Sequence, residues 1–534
     1  MRKTTLGPSS ILLLALAGTS LLATAKGNGN ENAASPEELA RLKSEEATHS
    51  KVMEIAFQLT DANGPRLTAS PGFLKAANWA KNELASYGLQ NARLEPWGEF
   101  GKGWQQEKCY LAMTAPYYNP IIALPKAWSG STPGKKMFSE QVVLVDAGDT
   151  ADFKAKYEGK LAGKIVMLKS ETSLTPSFKP DASRYDAAAL EKMAEAQLTT
   201  APARGANRDS AAQKRRQAFI QLRSINEKMI AEAPALILSN ARGTDGTLFV
   251  QGFSNTAYVL GSKEPPASVA ISTDEYLRIQ RLILAGIPVK LEADVKTKFL
   301  DDDYQGYNVI AEIPGSDPVL KDEVVMIGAH LDSWQGSTGA TDNAAGCAVM
   351  MEAVRLLKST GANPRRTIRI ALWSGEEQGL FGSKAWVASH LADPAKMELL
   401  AEHEKLSAYF NLDNGTGRIR GIYCQGNLGV IPIFQQWLDN FGDSTAKTVT
   451  INNTGSTDHV SFDNVGIPAF QFIQDEIEYE TRTHHSNMDN YDHLVAEDLK
   501  QAATLVSAFI YNAAQRDEKL PRKDLPKPRT NPIR

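Results

Sequence analysis

Val324-Val325-Met326-Ile327-Gly328-Ala329 is a continuous apolar run, and His330-Leu331-Asp332-Ser333 follows it directly. A run of this kind predicts a central strand buried on both faces, with chemistry-bearing residues at its carboxyl end. Downstream, helix and strand signals alternate: a helix over 344–358, a strand over 367–373, a helix over 382–390, a strand over 406–412, a helix over 429–441, a strand over 469–473 and a closing helix over 498–513. That alternation predicts an α/β domain built on a mostly parallel sheet sandwiched by helices. Upstream, 36–59 and 72–87 have helical character and flank the turn-rich loop Gly64–Pro71. From about residue 120 short apolar strands appear at 141–145, 164–168, 235–239 and 268–271. They predict a strand-rich insert, and the polar, alanine-rich stretch 171–233 within it predicts surface helices.

The composition sets limits. The chain has 534 residues, 42 % hydrophobic and 22 % charged, which excludes a disordered, collagen-like or polytopic membrane protein. Lys and Arg total 58 against 62 acids, a net charge of −4 with no electrostatic footprint for nucleic acid. Cys109, Cys347 and Cys424 lack CxxC spacing and carry no assigned chemistry. Arg2 and Lys3, the apolar run Ile11–Leu22 and Ala23-Thr24-Ala25 predict a signal peptide over 1–25. Residues 26–35 read as a flexible lead-in and 516–534 as a proline-rich, charged tail. The expectation is an exported protein, periplasmic or secreted, with no stable membrane anchor after cleavage. Nothing in the sequence sets its oligomeric state.

Polar residues gather where the predicted strands end. His330 and Asp332 follow the first, with Asp342 beyond the loop, and Glu376 and Glu377 follow the second. Asp413 follows the third, and His484 and His485, with Asp489 close behind, lie beyond the fourth. Each fragment alone has an ordinary reading as a surface pair, a charge run or a helix cap. Their convergence on one sheet edge is what points to a metal centre. Histidines mixed with carboxylates suit zinc, whereas carboxylates alone would suit magnesium or calcium. Asp332, two residues after His330, is placed to accept the imidazole N–H and fix its tautomer. Of the adjacent Glu376 and Glu377, one can bind metal while the other takes a proton from water. Spacing alone does not say which does which.

The segments Gly328–Ser333, Thr341–Gly346, Trp373–Leu380, Asn411–Asp413 and His484–Ser486 resemble the di-zinc exopeptidase family of carboxypeptidase Q, glutamate carboxypeptidase and secreted bacterial aminopeptidases. The resemblance implies a zinc-exopeptidase-like fold. Its catalytic domain would be split into 36–119 and 304–515 by a protease-associated-like insert over 120–303, enlarged by the helical stretch 171–233. It implies two Zn2+ per chain, one on Asp342, Glu377 and His485 and the other on His330, Asp342 and Asp413. It makes Glu376 the general base and a peptide the substrate. Where aminopeptidases of the family often carry a Tyr just before the last histidine ligand, this chain has His484. That residue reads equally as a donor to the oxyanion and as packing beside the site. Asp458 and His459 resemble a segment near the substrate pocket, His459 as a contact to substrate and Asp458 as structural. The remaining histidines, His49, His390, His403 and His493, read as ordinary surface or helix residues.

The expected activity is hydrolysis at a peptide chain end, as an aminopeptidase or dipeptidase. The alternatives are a carboxypeptidase of the same family, a non-catalytic receptor-like relative and a glutaminyl-cyclase-like transferase using one zinc. A serine hydrolase is disfavoured because no GxSxG elbow is present.

Overall fold

The apolar run at 324–330 becomes the middle of an eight-stranded sheet in the computed structural model, which describes residues 33–134, 136–198 and 210–528. The strand order across this main sheet is 90–99, 305–313, 367–373, 324–330, 406–411, 469–474, 419–423 and 448–450. Its four adjacent central strands, from 367–373 to 469–474, run parallel. The flanking pairs 90–99 with 305–313, 305–313 with 367–373, and 419–423 with 469–474 are antiparallel. The sheet is therefore parallel at its centre and mixed toward its edges.

Every residue of Val324–His330 is buried, because helices cover both faces of the sheet. Val325, Ile327 and Ala329 enter one core with the helices Val52–Leu59, Pro71–Ser86, Ala345–Ser359 and Ala496–Gln515. Val324 and Met326 enter the opposite core with Trp373, Trp386, Tyr409 and Phe462. Gly328 sits where no side chain fits. A Cβ there would lie 2.6 Å from the Tyr409 hydroxyl and 2.8 Å from Trp373 Nε1. Those two groups form a buried chain in which Trp373 donates to Tyr409 at 2.8 Å and Tyr409 donates to Asn411 Oδ1 at 2.6 Å.

A second eight-stranded sheet forms from 103–115, 119–120, 123–125, 138–145, 165–168, 236–240, 267–271 and 290–300. Its short strands 138–145, 165–168, 236–240 and 267–271 are mutually parallel. Alternation along them sends Leu144, Met167 and Leu238 to one face and Val145, Val166 and Ile237 to the other. The helices Thr150–Tyr157 and Ser210–Ala231 supply Phe153, Ile225 and Met229 to the second of those faces. The boundary expected at 120 falls too late for this sheet. Gly103–Ala115 pairs with Lys290–Leu300 along nearly its whole length, so the second sheet begins well before residue 120. An aromatic seam joins the two sheets: Phe100 stacks on Tyr258 at 4.8 Å, and Trp128 meets Trp334 edge-on at 6.1 Å.

The termini also depart from expectation. The predicted signal segment 1–25 and most of the lead-in lie outside the described residues. Ala34 and Ser35, assigned to the lead-in, are tied down: the Ala34 N–H donates to Asn512 Oδ1 at 2.7 Å, and Ser35 forms a capping box with Glu38. Up to residue 528 the tail has no regular structure, yet it is docked. Leu520 is buried, Arg522 donates to the carbonyls of His403 and Leu406, and Lys523 pairs with Asp463 at 2.6 Å. Among the described residues no helix is long and apolar enough to cross a membrane.

His403 and His390 both lie in helices, and each is held by specific partners. His403 is buried, its Nε2 2.8 Å from the Val465 carbonyl. His390 stacks on Trp386 and bridges Glu402 and Glu95 at 3.2 and 3.1 Å. Hydrogen bonds to Glu402 and then Glu95 hold the His390 imidazolium up to about 9. A histidine pKa raised on folding contributes fully below its ordinary value near 6.5, and the contribution fades as pH rises through the folded value. Replacing His390 with Gln should therefore cost about 1–2 kcal/mol at pH 6, after discounting for partial exposure, and close to nothing at pH 10. Urea unfolding at both pH values checks this; an equal loss at both would rule out the charge as its source.

Candidate metal centre

The parallel strands end together, and their ends deliver the polar residues to one mouth. His330 closes its own strand, Glu376 and Glu377 follow Trp373, and Asp413 follows the strand ending at Asn411. Asp342 sits in the turn 340–344 just before the helix Ala345–Ser359, and His484 and His485 follow the turn Tyr479–Thr483. His330 Nε2 lies 3.2 Å from both Asp342 Oδ1 and Asp413 Oδ1. The other oxygen of Asp342, Oδ2, lies 3.2 Å from His485 Nε2, which is 2.8 Å from Glu377 Oε2. His484 Nε2 stands farther off, 3.9 Å from Asp342 Oδ2, with its ring between those of Tyr479 and His485. Ligand atoms of His330, Asp342 and Asp413 lie within 4.8 Å of one another, as do those of Asp342, His484 and His485.

A frame of hydrogen bonds sets these positions. The Asp332 main-chain carbonyl accepts from His330 Nδ1 at 3.0 Å, which leaves Nε2 facing the cluster. The Asp332 carboxylate, expected in that role, is 3.7 Å from the ring. It accepts instead from the Thr68 hydroxyl at 2.8 Å and from the N–H groups of Glu376 and Glu377 at 3.3 and 3.4 Å. Thr68 in turn accepts from the Gly375 N–H at 3.2 Å, so Asp332 and Thr68 hold the Glu-Glu turn. Asp489 accepts from the N–H groups of Thr341 and Asp342 at 2.6 and 3.1 Å. Asn343 donates to the Leu412 carbonyl at 2.9 Å and ties the Asp342 turn to the Asp413 strand end. Gly346 permits this approach, since a Cβ there would lie 2.4 Å from the same carbonyl.

The cluster holds more buried acid than its histidines neutralise. Burial, reinforced by Asp342, pushes Glu377 up to about 7. Burial likewise lifts Glu376 well above the usual carboxylate range, with Asp413, Asp458 and Glu377 adding to it. Asp342 goes the other way: burial opposes its charge, yet His330 and His485 hold it well below the usual range. Glu377 Oε1 is buried with no hydrogen-bond donor, and Asp342 Oδ2 meets His485 Nε2 at 3.2 Å without good hydrogen-bond geometry. Ligand atoms about 2.0–2.1 Å from a tetrahedral zinc stand roughly 3.3–3.4 Å apart, close to the 3.2 Å separations seen here. An orphaned carboxylate oxygen, imidazole nitrogens and this spacing together fit zinc.

Residues 308–510 match the family model of Peptidase family M28. That segment is similar to family M28. Carboxypeptidase Q of Mus musculus is 30 % identical over 262 residues, 49 % of this chain and 52 % of the relative, so the matched stretch spans about half the relative's length. Carboxypeptidase Q of Homo sapiens is 25 % identical over 467 residues, 87 % of this chain and 85 % of the relative. Aminopeptidase YwaD of Bacillus subtilis is 32 % identical over 203 residues, 37 % of this chain and 42 % of the relative. Among solved structures, a Peptidase M28 precursor from Shewanella amazonensis superposes with a TM-score of 0.64 at 23 % identity, covering 92 % of this chain and 98 % of that one. The zinc aminopeptidase BSAP from Bacillus subtilis gives a TM-score of 0.56 at 21 % identity, covering 88 % and 96 %. Both share the mixed α/β fold of this chain.

Two further predicted residues, Asp458 and His459, lie buried beside the cluster. His459 is fully buried, and its Nε2 meets Gln425 and the Thr454 carbonyl, which leaves no opening for a substrate contact. Burial lowers its imidazole to about 4. Asp458 is also fully buried, and burial raises its carboxyl to about 7.

Arg66 and Thr68, both in the turn-rich loop Gly64–Pro71, carry no local sequence signal of their roles. Arg66 is fully buried and donates to the carbonyls of Leu331, Leu59, Thr338 and Gly339 at 2.7, 2.6, 2.5 and 2.8 Å. It spans the loop from His330 to Asp342. Arg66→Met would leave those buried carbonyls without donors, for a loss of about 3 kcal/mol or more. Urea unfolding should show this as a lower midpoint; a change under about 0.5 kcal/mol would deny Arg66 its bracing role.

Proposed function

We propose that this chain is a zinc-dependent exopeptidase that hydrolyses the peptide bond next to a chain end, with aminopeptidase or dipeptidase polarity. The observation that carries this reading is the division of Asp342, one carboxylate oxygen toward His330 and the other toward His485. A carboxylate shared in this way suits a pair of ions. His330, Asp342 and Asp413 would hold one zinc, and Asp342, Glu377 and His485 the other. Bound zinc supplies Lewis acidity toward a carbonyl oxygen and acidifies water.

The remaining work falls to the chain's own groups. The Glu376 carboxylate makes no hydrogen bond or ion pair among the described residues, while Glu377 is engaged with His485. This supports Glu376 as the general base, which takes a proton from the attacking water and passes it to the leaving amine. His484 is one-third exposed at the mouth and carries a ring N–H that can donate to the oxyanion. Asp332, Thr68 and Asp489 hold the backbone beneath these groups.

A carboxypeptidase reading is favoured by one finding: human carboxypeptidase Q aligns over 87 % of this chain, far more than the aminopeptidase YwaD does. Incubation with a free peptide, its N-acetylated form and its C-amidated form separates the two polarities. We expect the amidated peptide to be trimmed and the acetylated one to survive; cleavage of the acetylated peptide alone would reverse the assignment.

Glu376→Gln should lower peptide hydrolysis by about 10²–10⁴-fold with zinc content unchanged. Near wild-type turnover in that variant would remove Glu376 from the base position. Metal analysis of the purified protein should find two zincs per chain, with activity lost on chelation and restored by zinc. One tightly held zinc would favour the cyclase-like alternative.

A further inference from the structure

The loop that carries His484 and His485 is gripped from both sides by the insert. On its approach, Arg184 pairs with Asp475 at 2.8 Å and with Asp498 at 2.7 Å, and the Tyr185 N–H donates to Asp475 at 3.0 Å. Ser183 and Ile477 exchange main-chain hydrogen bonds at 2.9 and 2.8 Å. On its exit, the Val250 N–H donates to the His485 carbonyl at 2.9 Å, and the Leu248 N–H donates to Asn487 Oδ1 at 2.7 Å. The side-chain NH2 nitrogen of Gln251, next along, lies 2.9 Å from His485 Nδ1, where a half-turn of the amide would put its oxygen. His485 itself has φ of +61°, a left-handed conformation that a residue with a Cβ keeps only where its surroundings impose it.

We infer that Gln251 of the insert is a positioning residue for His485, accepting the Nδ1 proton and so aiming Nε2 at the metal centre. The inference rests on the zinc reading above. An imidazole that ligates through Nε2 carries its proton on Nδ1 and needs an acceptor there. A carboxamide can present either its oxygen or its NH2 group at one place by a half-turn of its last bond, and ligation selects the oxygen. His330 meets the same need within the main domain, through the carbonyl of Asp332. The two halves of the centre are therefore held differently. One is oriented by its own backbone, the other by a side chain reaching across from the second sheet. The insert contributes to metal retention at the His485 half, and its docking becomes a condition for a complete centre.

The test uses the full chain loaded with zinc. Gln251→Met keeps the length and removes the acceptor; Gln251→Glu keeps an acceptor. Zinc affinities are measured by competition with a chromogenic chelator, and thermal unfolding of the metal-free proteins serves as a control. Gln251→Met should weaken one of the two zincs by about 10–100-fold and leave the other unchanged, with metal-free stability as in the wild type. Gln251→Glu should retain both zincs. The inference is overturned if Gln251→Met binds both as tightly as the wild type, or if Gln251→Glu is as weak as Gln251→Met. A wild-type protein that binds no zinc would instead overturn the metal reading itself, which keeps the two failures distinct.

Discussion

Asp342 faces two histidines, one on each carboxylate oxygen, and the geometry around it follows from that division. His330 comes from the central strand and His485 from beyond the strand 469–474. One acid serves both only because the parallel strands end level and their loops fold over the same edge. The neighbouring acids are the cost of the arrangement. Asp413, Glu376 and Glu377 crowd a buried space in which carboxylates repel one another, and burial with mutual repulsion raises Glu377 to about 7. Such a group is neutralised by protons or by a bound cation, and its mixture of imidazoles and carboxylates suits zinc.

Everything near Asp342 is braced against movement. Asp489 holds its backbone, Asn343 joins it to the Asp413 strand end, and Arg66 pins the loop leading to it. Thr68 and Asp332 do the same for the Glu-Glu turn. Apart from the Thr68–Asp332 side-chain bond, these are hydrogen bonds to main-chain atoms, so they set where the side chains start rather than touching their tips. The second sheet adds an outer brace. It packs through the aromatic seam around Phe100, Trp128, Tyr258 and Trp334, and it contacts the loop of His484 and His485 on either side.

The alternating helices and strands after residue 324 are legible because each short apolar run is a buried strand and each amphipathic stretch a covering helix. The expected 367–373 strand agrees with the structure residue for residue. The long strands 90–99, 103–115 and 290–300 were not legible. They are half-exposed, their apolar residues broken up by Gln, Lys and Glu except at Cys109–Met113, and they become strands because a partner strand satisfies their backbone. The same distinction holds in the site. His330, Asp342, Glu376, Glu377, Asp413, His484 and His485 stand out by residue type at strand ends. Thr68 and Arg66 are a threonine and an arginine in a loop, and their roles exist only through partners more than 260 residues away.

The order of motifs along the chain by itself determined the class of fold, the sheet edge that carries the chemistry and the residue types gathered there. Those are local properties: strand runs, helix faces and the polar residues that end them. Tertiary structure alone decided that the Asp332 backbone rather than its carboxylate meets His330, that His459 is closed off, and that the insert reaches the His485 ring. Each depends on distances between segments far apart in sequence, and a linear pattern carries no information about such distances until the core has packed.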